Sequence, residues 1–271
     1  MKIGNRVFDQ KNHTYLMGIL NITPDSFSDG GCWNQMDSAL HHAEEMIQQG
    51  ADILDIGGES TRPGHFQVSE EEEIARVVPV IQEVKARFDI PVSIDTYKSK
   101  VADAAIKAGA DLVNDIWGLK YDDKMADLIA KTKVACCLMH NRKEAQYQNL
   151  LEEVCMDMQE SIAIAKKAGI GDDKIILDPG IGFGKTLKHN LELTNHMDCL
   201  NRFGYPLLLG TSRKSMIGLT LNLPVQEREE GTIVTTVMAV MKGYQFVRVH
   251  NVEANRRAIQ MAEAILQEGK E

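Results

Sequence analysis

Eight short apolar runs alternate with eight amphipathic segments along this chain, and that rhythm restricts the fold more than any other feature. The strand-like runs cover residues 15–22, 53–57, 92–95, 112–114, 134–139, 175–178, 207–210 and 246–250. The helix-like segments cover residues 36–49, 70–88, 98–108, 123–131, 152–168, 187–203, 227–241 and 253–267. Gly50, Gly109, Gly169 and Gly204 stand just past the ends of four of these segments, where helices commonly stop. Strict alternation of this kind implies parallel strands. Eight units within 271 residues match the size of a (β/α)8 TIM barrel, with a doubly wound open sheet as the alternative. No Pro/Gly/Ser linker, low-complexity tract or shift in composition divides the chain, so residues 1–271 are expected to form one domain.

A barrel keeps its chemistry at the carboxyl ends of its strands, and every run here ends in polar or charged residues. The first passes through Asn21 into a loop holding Thr23, Pro24, Asp25, Ser26, Phe27, Ser28, Asp29 and two glycines, a density that an ordinary surface turn does not require. The second runs into Glu59-Ser60-Thr61-Arg62-Pro63-Gly64, and the third ends in Asp95. The fourth and fifth end in Asn114-Asp115 and Met139-His140. The last three lead to Asp178-Pro179-Gly180, to Gly210-Thr211-Ser212-Arg213-Lys214-Ser215, and to Arg248-Val249-His250.

Period-two alternation decides which of these residues share a face. Asp95, Asn114, Asp178 and Lys214 could converge in the barrel mouth, and that set suits a flat heterocycle with a cyclic amide and an exocyclic amino group. A carboxylate accepts two parallel N–H donors, and a lysine donates to a ring nitrogen or carbonyl. The plainer alternative is that Asp178 and Lys214 only neutralise each other. Arg248 and His250 form a second, cationic pair beside Asn21 once the eighth strand closes on the first. Arginine favours phosphate, and Asn21 with Asp29 could hold a hydrated Mg²⁺ bridging phosphate oxygens. A strand-end salt bridge is the alternative for Arg248. Phe183 reads as a side wall, and Met139 stands apart from the other methionines because it ends a strand. The GIGFGK segment at 180–185 lacks P-loop spacing. His41, His42, His189 and His196 fall on helical segments without ligand spacing, and Glu70–Glu73 reads as the acidic first turn of a helix.

A net charge of −9 leaves no electrostatic footprint for a nucleic-acid partner. Five cysteines without a CxxC spacing fit free thiols in a reducing compartment, with Cys136 and Cys137 on opposite faces of one strand. No signal-peptide pattern and no apolar run of about 18 residues is visible. The expectation is a soluble cytoplasmic protein without a membrane role.

The chain resembles the dihydropteroate synthases through MGILNITPDSFSDGG (17–31), GGESTRPG (57–64), SIDTYK (93–98), VNDIWG (113–118), DPGIGFGK (178–185), GTSRKS (210–215) and RVH (248–250). The resemblance implies a (β/α)8 barrel, usually a homodimer. It implies a transferase that condenses 6-hydroxymethyl-7,8-dihydropterin diphosphate with p-aminobenzoate, using Mg²⁺, through a loose, cation-like substitution. The implied pterin pocket is Asp95, Asn114, Met139, Asp178, Phe183 and Lys214. The implied diphosphate and metal site is Asn21, Asp29, Arg248 and His250. Phe27, Thr61, Arg62, Pro63, Lys214 and Ser215 would frame p-aminobenzoate, the position that sulfonamide-type mimics enter. Two segments depart from the family pattern: Asn141-Arg142-Lys143-Glu144 stands where Gly and Pro are frequent, and His65-Phe66 is bulkier than usual. A pterin-binding methyltransferase domain would have no use for a diphosphate site. A non-catalytic pterin binder would have lost rim residues, and a sugar-phosphate lyase would want a lysine inside a strand.

Overall fold

The computed structural model describes residues 1–9, 11, 13–22, 32–59 and 67–268, with the backbone alone for residues 32–35. A two-stranded hairpin, β1 (Lys2–Ile3) and β2 (Arg6–Val7), opens the chain. Eight parallel strands follow: β3 (Tyr15–Asn21), β4 (Ile53–Gly57), β5 (Val92–Asp95), β6 (Leu112–Asp115), β7 (Ala135–Met139), β8 (Ile175–Asp178), β9 (Leu208–Leu209) and β10 (Phe246–Val249). Their order is β8-β7-β6-β5-β4-β3-β10-β9, and a parallel bridge between Leu177 and Leu207 joins the two ends. The ring is the (β/α)8 barrel that the alternation implies, and β10 pairs with β3 as closure demands.

Helices on the outer face connect the strands: α1 (Cys32–Gln48), α2 (Glu70–Arg87), α3 (Ser99–Ala108), α4 (Met125–Thr132) and α5 (Leu150–Ala168), then α6 (Leu187–Asn195), α7 (Ser215–Leu221), α8 (Glu229–Met241) and α9 (Val252–Gln267). The expected helix at 187–203 is interrupted at His196, where the chain tightens into a 3-10 turn over Met197–Phe203. The short α7 and the opening hairpin had no counterpart in the sequence reading.

Parity along each strand sorts the core into two layers. Leu54, Ile56, Val92, Ile94, Val113, Cys136, Leu138, Ile175, Leu177, Val247 and Val249 point outward and pack under the helices. Met17, Ile53, Leu112, Ala135, Cys137, Ile176, Leu208 and Phe246 point inward and form an apolar floor. Cys136 and Cys137 thus lie on opposite sides of the wall, as expected. Ile3 and Phe8 from the hairpin segment join the floor from below. The Phe8 ring meets Tyr15 edge-on with centroids 4.8 Å apart. Burying a phenyl ring contributes about 2–3 kcal/mol, so the hairpin seals the amino-terminal end of the barrel. Ligand access is left to the opposite, carboxyl-terminal mouth.

Candidate active site

One step above the floor, the inward positions change character. Asp55 on β4, Ser93 and Asp95 on β5, Asn114 on β6, Asp178 on β8 and Arg248 on β10 replace the aliphatic side chains, and all but Arg248 are fully buried. Arg248 crosses the interior to two carboxylates at once. Its Nε donates to Asp55 Oδ2 at 2.5 Å and its Nη2 to Asp95 Oδ2 at 2.6 Å. Asn114 Nδ2 donates to the same Asp55 oxygen at 3.3 Å. Asp55 Oδ1, Asp95 Oδ1 and Ser93 Oγ are buried without a hydrogen-bond partner. An unmet buried polar atom costs about 1–3 kcal/mol, so three on the inward faces of β4 and β5 mark a surface that the fold leaves for a polar ligand.

Asp178 and Lys214 line the facing side. Asp178 Oδ1 accepts the Gly180 N–H at 2.7 Å. Lys214 Nζ donates to the Ile181 carbonyl and lies 4.5 Å from the Phe183 ring centroid. The lysine therefore engages the loop rather than simply neutralising Asp178. Gly210 keeps this corner open, since a Cβ there would lie 3.6 Å from Asp178 Oδ2 and 3.9 Å from Lys214 Nζ. Met139 and Phe183 share an apolar cluster with Tyr97, Ile116 and Trp117, which gives the mouth one apolar wall.

Burial raises the Asp95 carboxyl above its ordinary range, and Arg248 only partly offsets this while Asp55 adds to it. Burial likewise raises Asp178, against the pull of Lys214. Lys214 is lowered to about 8 by burial, with Asp178 opposing. Burial also disfavours charge on Arg248, but Asp55 and Asp95 outweigh it and hold its pKa above the ordinary value. The site is thus a set of buried, mutually dependent charges.

Arg248 corrects one expectation. The sequence pattern sets it with His250 and Asn21 in a second, cationic group. Parity puts it directly above Phe246 on the inward face, so it joins the carboxylates and the two constellations become one. The strand-end salt bridge, the plainer reading, is therefore present. His250 follows β10, with Nδ1 2.9 Å from Ser212 Oγ, and Ser212 Oγ accepts the His250 N–H at 3.2 Å. Asn21 ends β3, the neighbour of β10. Ser215 opens α7 immediately after Lys214. Phe27, Asp29, Thr61, Arg62 and Pro63 lie outside the described residues.

The sequence reading missed Asp55. Its signal was available: a carboxylate two residues after Ile53 in an apolar strand shares the inward face and must find a partner. Glu73 departs from its reading as a simple helix-dipole complement. It is buried and pairs with Lys98 at 2.7 Å. Lys98 also reaches Glu59 at 2.6 Å and the Val68 carbonyl at 2.7 Å, and Tyr97 donates to Glu59 at 2.6 Å. His189 completes a capping box with Thr186 at the start of helix α6. Among the described residues no group of three His, Cys, Asp or Glu side chains could enclose a metal. Asn21 offers a single amide oxygen, a donor suited to a hard, largely hydrated cation completed by ligand oxygens rather than to a closed metal centre. No described helix is long and apolar enough to cross a membrane.

A (β/α)8 barrel sealed below, with buried carboxylates, an arginine and a lysine around its open mouth, defines a barrel enzyme for a small polar substrate. The family model described as "Pterin binding enzyme" matches residues 17–250. A dihydropteroate synthase from Clostridium beijerinckii is 61% identical over 98% of this chain and 99% of its own length. The crystal structure of a dihydropteroate synthase from Clostridium difficile in the presence of pteroic acid superposes with a TM-score of 0.94, at 49% identity, over 97% of this chain and 100% of that one. A Xanthomonas albilineans dihydropteroate synthase with 4-aminobenzoic acid gives 0.90 at 40% identity, covering 94% of each chain. The chain belongs to the dihydropteroate synthase family of pterin-binding enzymes, and it is a transferase.

Proposed function

We propose that this chain joins 6-hydroxymethyl-7,8-dihydropterin diphosphate to p-aminobenzoate, giving 7,8-dihydropteroate and pyrophosphate. The observation that carries the reading is the inward polar layer, in which Asp55 and Asp95 each keep one buried oxygen that no protein donor meets. An amino-pyrimidinone edge presents paired N–H donors, and carboxylates are their natural acceptors. In this reading Asp95, Asn114 and Asp178 take the ring edge, Lys214 donates to a ring acceptor, and Met139 and Phe183 cover its apolar faces. Asn21, Arg248 and His250 serve the diphosphate. Phe27, Thr61, Arg62, Lys214 and Ser215, with Pro63, frame the aryl amine. The pteroic acid and 4-aminobenzoic acid named with the solved relatives support both halves.

An aryl amine is a weak nucleophile, so departure of the diphosphate must carry much of the reaction. As the C–O bond lengthens, positive charge spreads from the methylene into the conjugated ring, where the nearby carboxylates favour it. Arg248 faces Asp55 and Asp95 at 2.5 and 2.6 Å. An arriving diphosphate competes for that guanidinium and returns carboxylate charge to the ring. The C–N bond then forms, and the amine gives up a proton. Mg²⁺, held by Asn21 and Asp29, would add positive charge at the leaving diphosphate. By the family resemblance we also read residues 1–271 as one domain of a cytoplasmic homodimer.

The test is pyrophosphate release from the pterin diphosphate, with and without p-aminobenzoate and Mg²⁺. Omitting either p-aminobenzoate or Mg²⁺ should slow release by at least about ten-fold. Release independent of p-aminobenzoate would make the activity hydrolytic and overturn the reading.

A further inference from the structure

We propose that Lys185 is a positioning residue for the pterin wall, acting through a buried tie between the loops that follow β7 and β8. The inference deepens the pterin reading above and rests on it. Lys185 Nζ lies 2.8 Å from His140 Nδ1, 2.9 Å from the Gly180 carbonyl and 3.0 Å from the Phe183 carbonyl. As an ammonium Lys185 has three donors for these three acceptors, while burial lowers its pKa to about 7 against the pull of Asp178. Accepting from Lys185 at Nδ1 puts the His140 proton on Nε2, which donates to Asp157 Oδ2 at 3.0 Å. Burial holds the His140 pKa down at about 4, so the ring keeps this neutral form.

Arg142, in the segment that departs from the family pattern, closes the circuit. Its Nε donates to the same Asp157 oxygen at 2.6 Å, and its Nη1 donates to Glu153 at 2.7 Å. The guanidinium stacks 4.6 Å from the Tyr147 ring centroid, and the Tyr147 hydroxyl donates to the Gly184 carbonyl at 2.8 Å. The chain of contacts therefore begins and ends on the 180–185 loop. The two loops leave no slack between their backbones. A Cβ on Gly180 would fall 1.8 Å from the His140 carbonyl oxygen, and one on Gly184 would fall 2.3 Å from that of Arg142.

What the tie aims is the pocket. Gly180, Ile181 and Phe183 present carbonyls to two lysines, the outer two to Lys185 and the middle one to Lys214. Fixing the outer pair fixes the perch of Lys214 and the ring of Phe183 beneath it. Lys185 itself belongs to neither the ring-edge layer nor the apolar wall, so it acts through these residues.

Three variants test this: Lys185→Met, His140→Leu and His140→Gln. The glutamine amide can accept from Lys185 and donate to Asp157, whereas leucine can do neither. Lys185→Met and His140→Leu should raise KM for the pterin diphosphate by about ten-fold or more, and by several-fold more than KM for p-aminobenzoate, which shares Lys214 alone with the tie. His140→Gln should stay within about three-fold of the parent on both. Binding of free pterin, followed by its own fluorescence, should weaken in the same order. Equal defects in His140→Gln and His140→Leu, or parallel rises in both KM values, would overturn the tie. If Lys185→Met fails to fold, the His140 pair decides alone. A parent chain that binds no pterin would instead overturn the reading of the site, and the tie with it.

Discussion

Arg248 is the residue on which the polar layer depends, and its chemistry explains why no other cation would serve. A planar guanidinium donates from two nitrogens in fixed directions, so it meets Asp55 and Asp95 on different strands at once. Removing one partner of a buried ion pair typically costs about 3–5 kcal/mol, because the remaining charge stays desolvated. Arg248→Met should lower the urea unfolding free energy by that order at pH 8. The sign of its pH dependence follows from Asp95. Its folded pKa already lies above the unfolded value near 4, and losing Arg248 raises it further. The native state then holds a proton that the unfolded chain has released, so stability falls as pH rises from about 4 upward. Asp95 in the parent titrates at about 7, so both chains lose stability alike from pH 4 to about 7, and the gap between variant and parent should widen only above that. A gap independent of pH would show that the carboxylates do not carry the cost.

At the scale of elements, the loops after the strands are held more tightly than their polar composition suggests. Gly180 adopts φ +69°, in the left-handed region, and sits directly against the His140 carbonyl. A left-handed non-glycine residue costs about 1–2 kcal/mol from its backbone alone. Gly180→Ala should exceed that in chemical denaturation, because the added methyl has nowhere to go, and pterin binding should weaken with it. A loss of about 1 kcal/mol or less would mean that the loops can separate. The elements themselves were readable where their pattern was long. Residues 70–88 and 152–168 carry clear helical periodicity and became α2 and α5, capped by Ser69 and Asn149. The stretch 187–203 failed at Asn195-His196, two weak helix formers, where tertiary packing favours the tighter turn. Helix α7 escaped because seven residues give too few turns for a period to show.

For the whole molecule, the seam of the barrel is its thinnest part. Strand β9 has two residues, and it meets β8 through the single bridge between Leu207 and Leu177. Elsewhere in the ring β3 joins β4 over five residue pairs. Local opening should therefore be easiest at the seam. Native-state hydrogen exchange should find amides at 207–209 exchanging at least about ten-fold faster than those at 16–20. Uniform protection around the ring would contradict this. The sequence by itself determined the alternation of strands and helices, and the parity that sends Ile53 and Asp55, Ile176 and Asp178, or Phe246 and Arg248 to the same face. Both are local, because the strand period of two and the helix period of 3.6 are written in consecutive residues. Only the tertiary structure decided which strand ends share a height. Arg248 meets Asp55 across 193 residues of sequence and Asp95 across 153, contacts set by how closure and stagger align separate strands. No local period encodes that stagger, so the sequence held two apparent constellations where the closed barrel makes one.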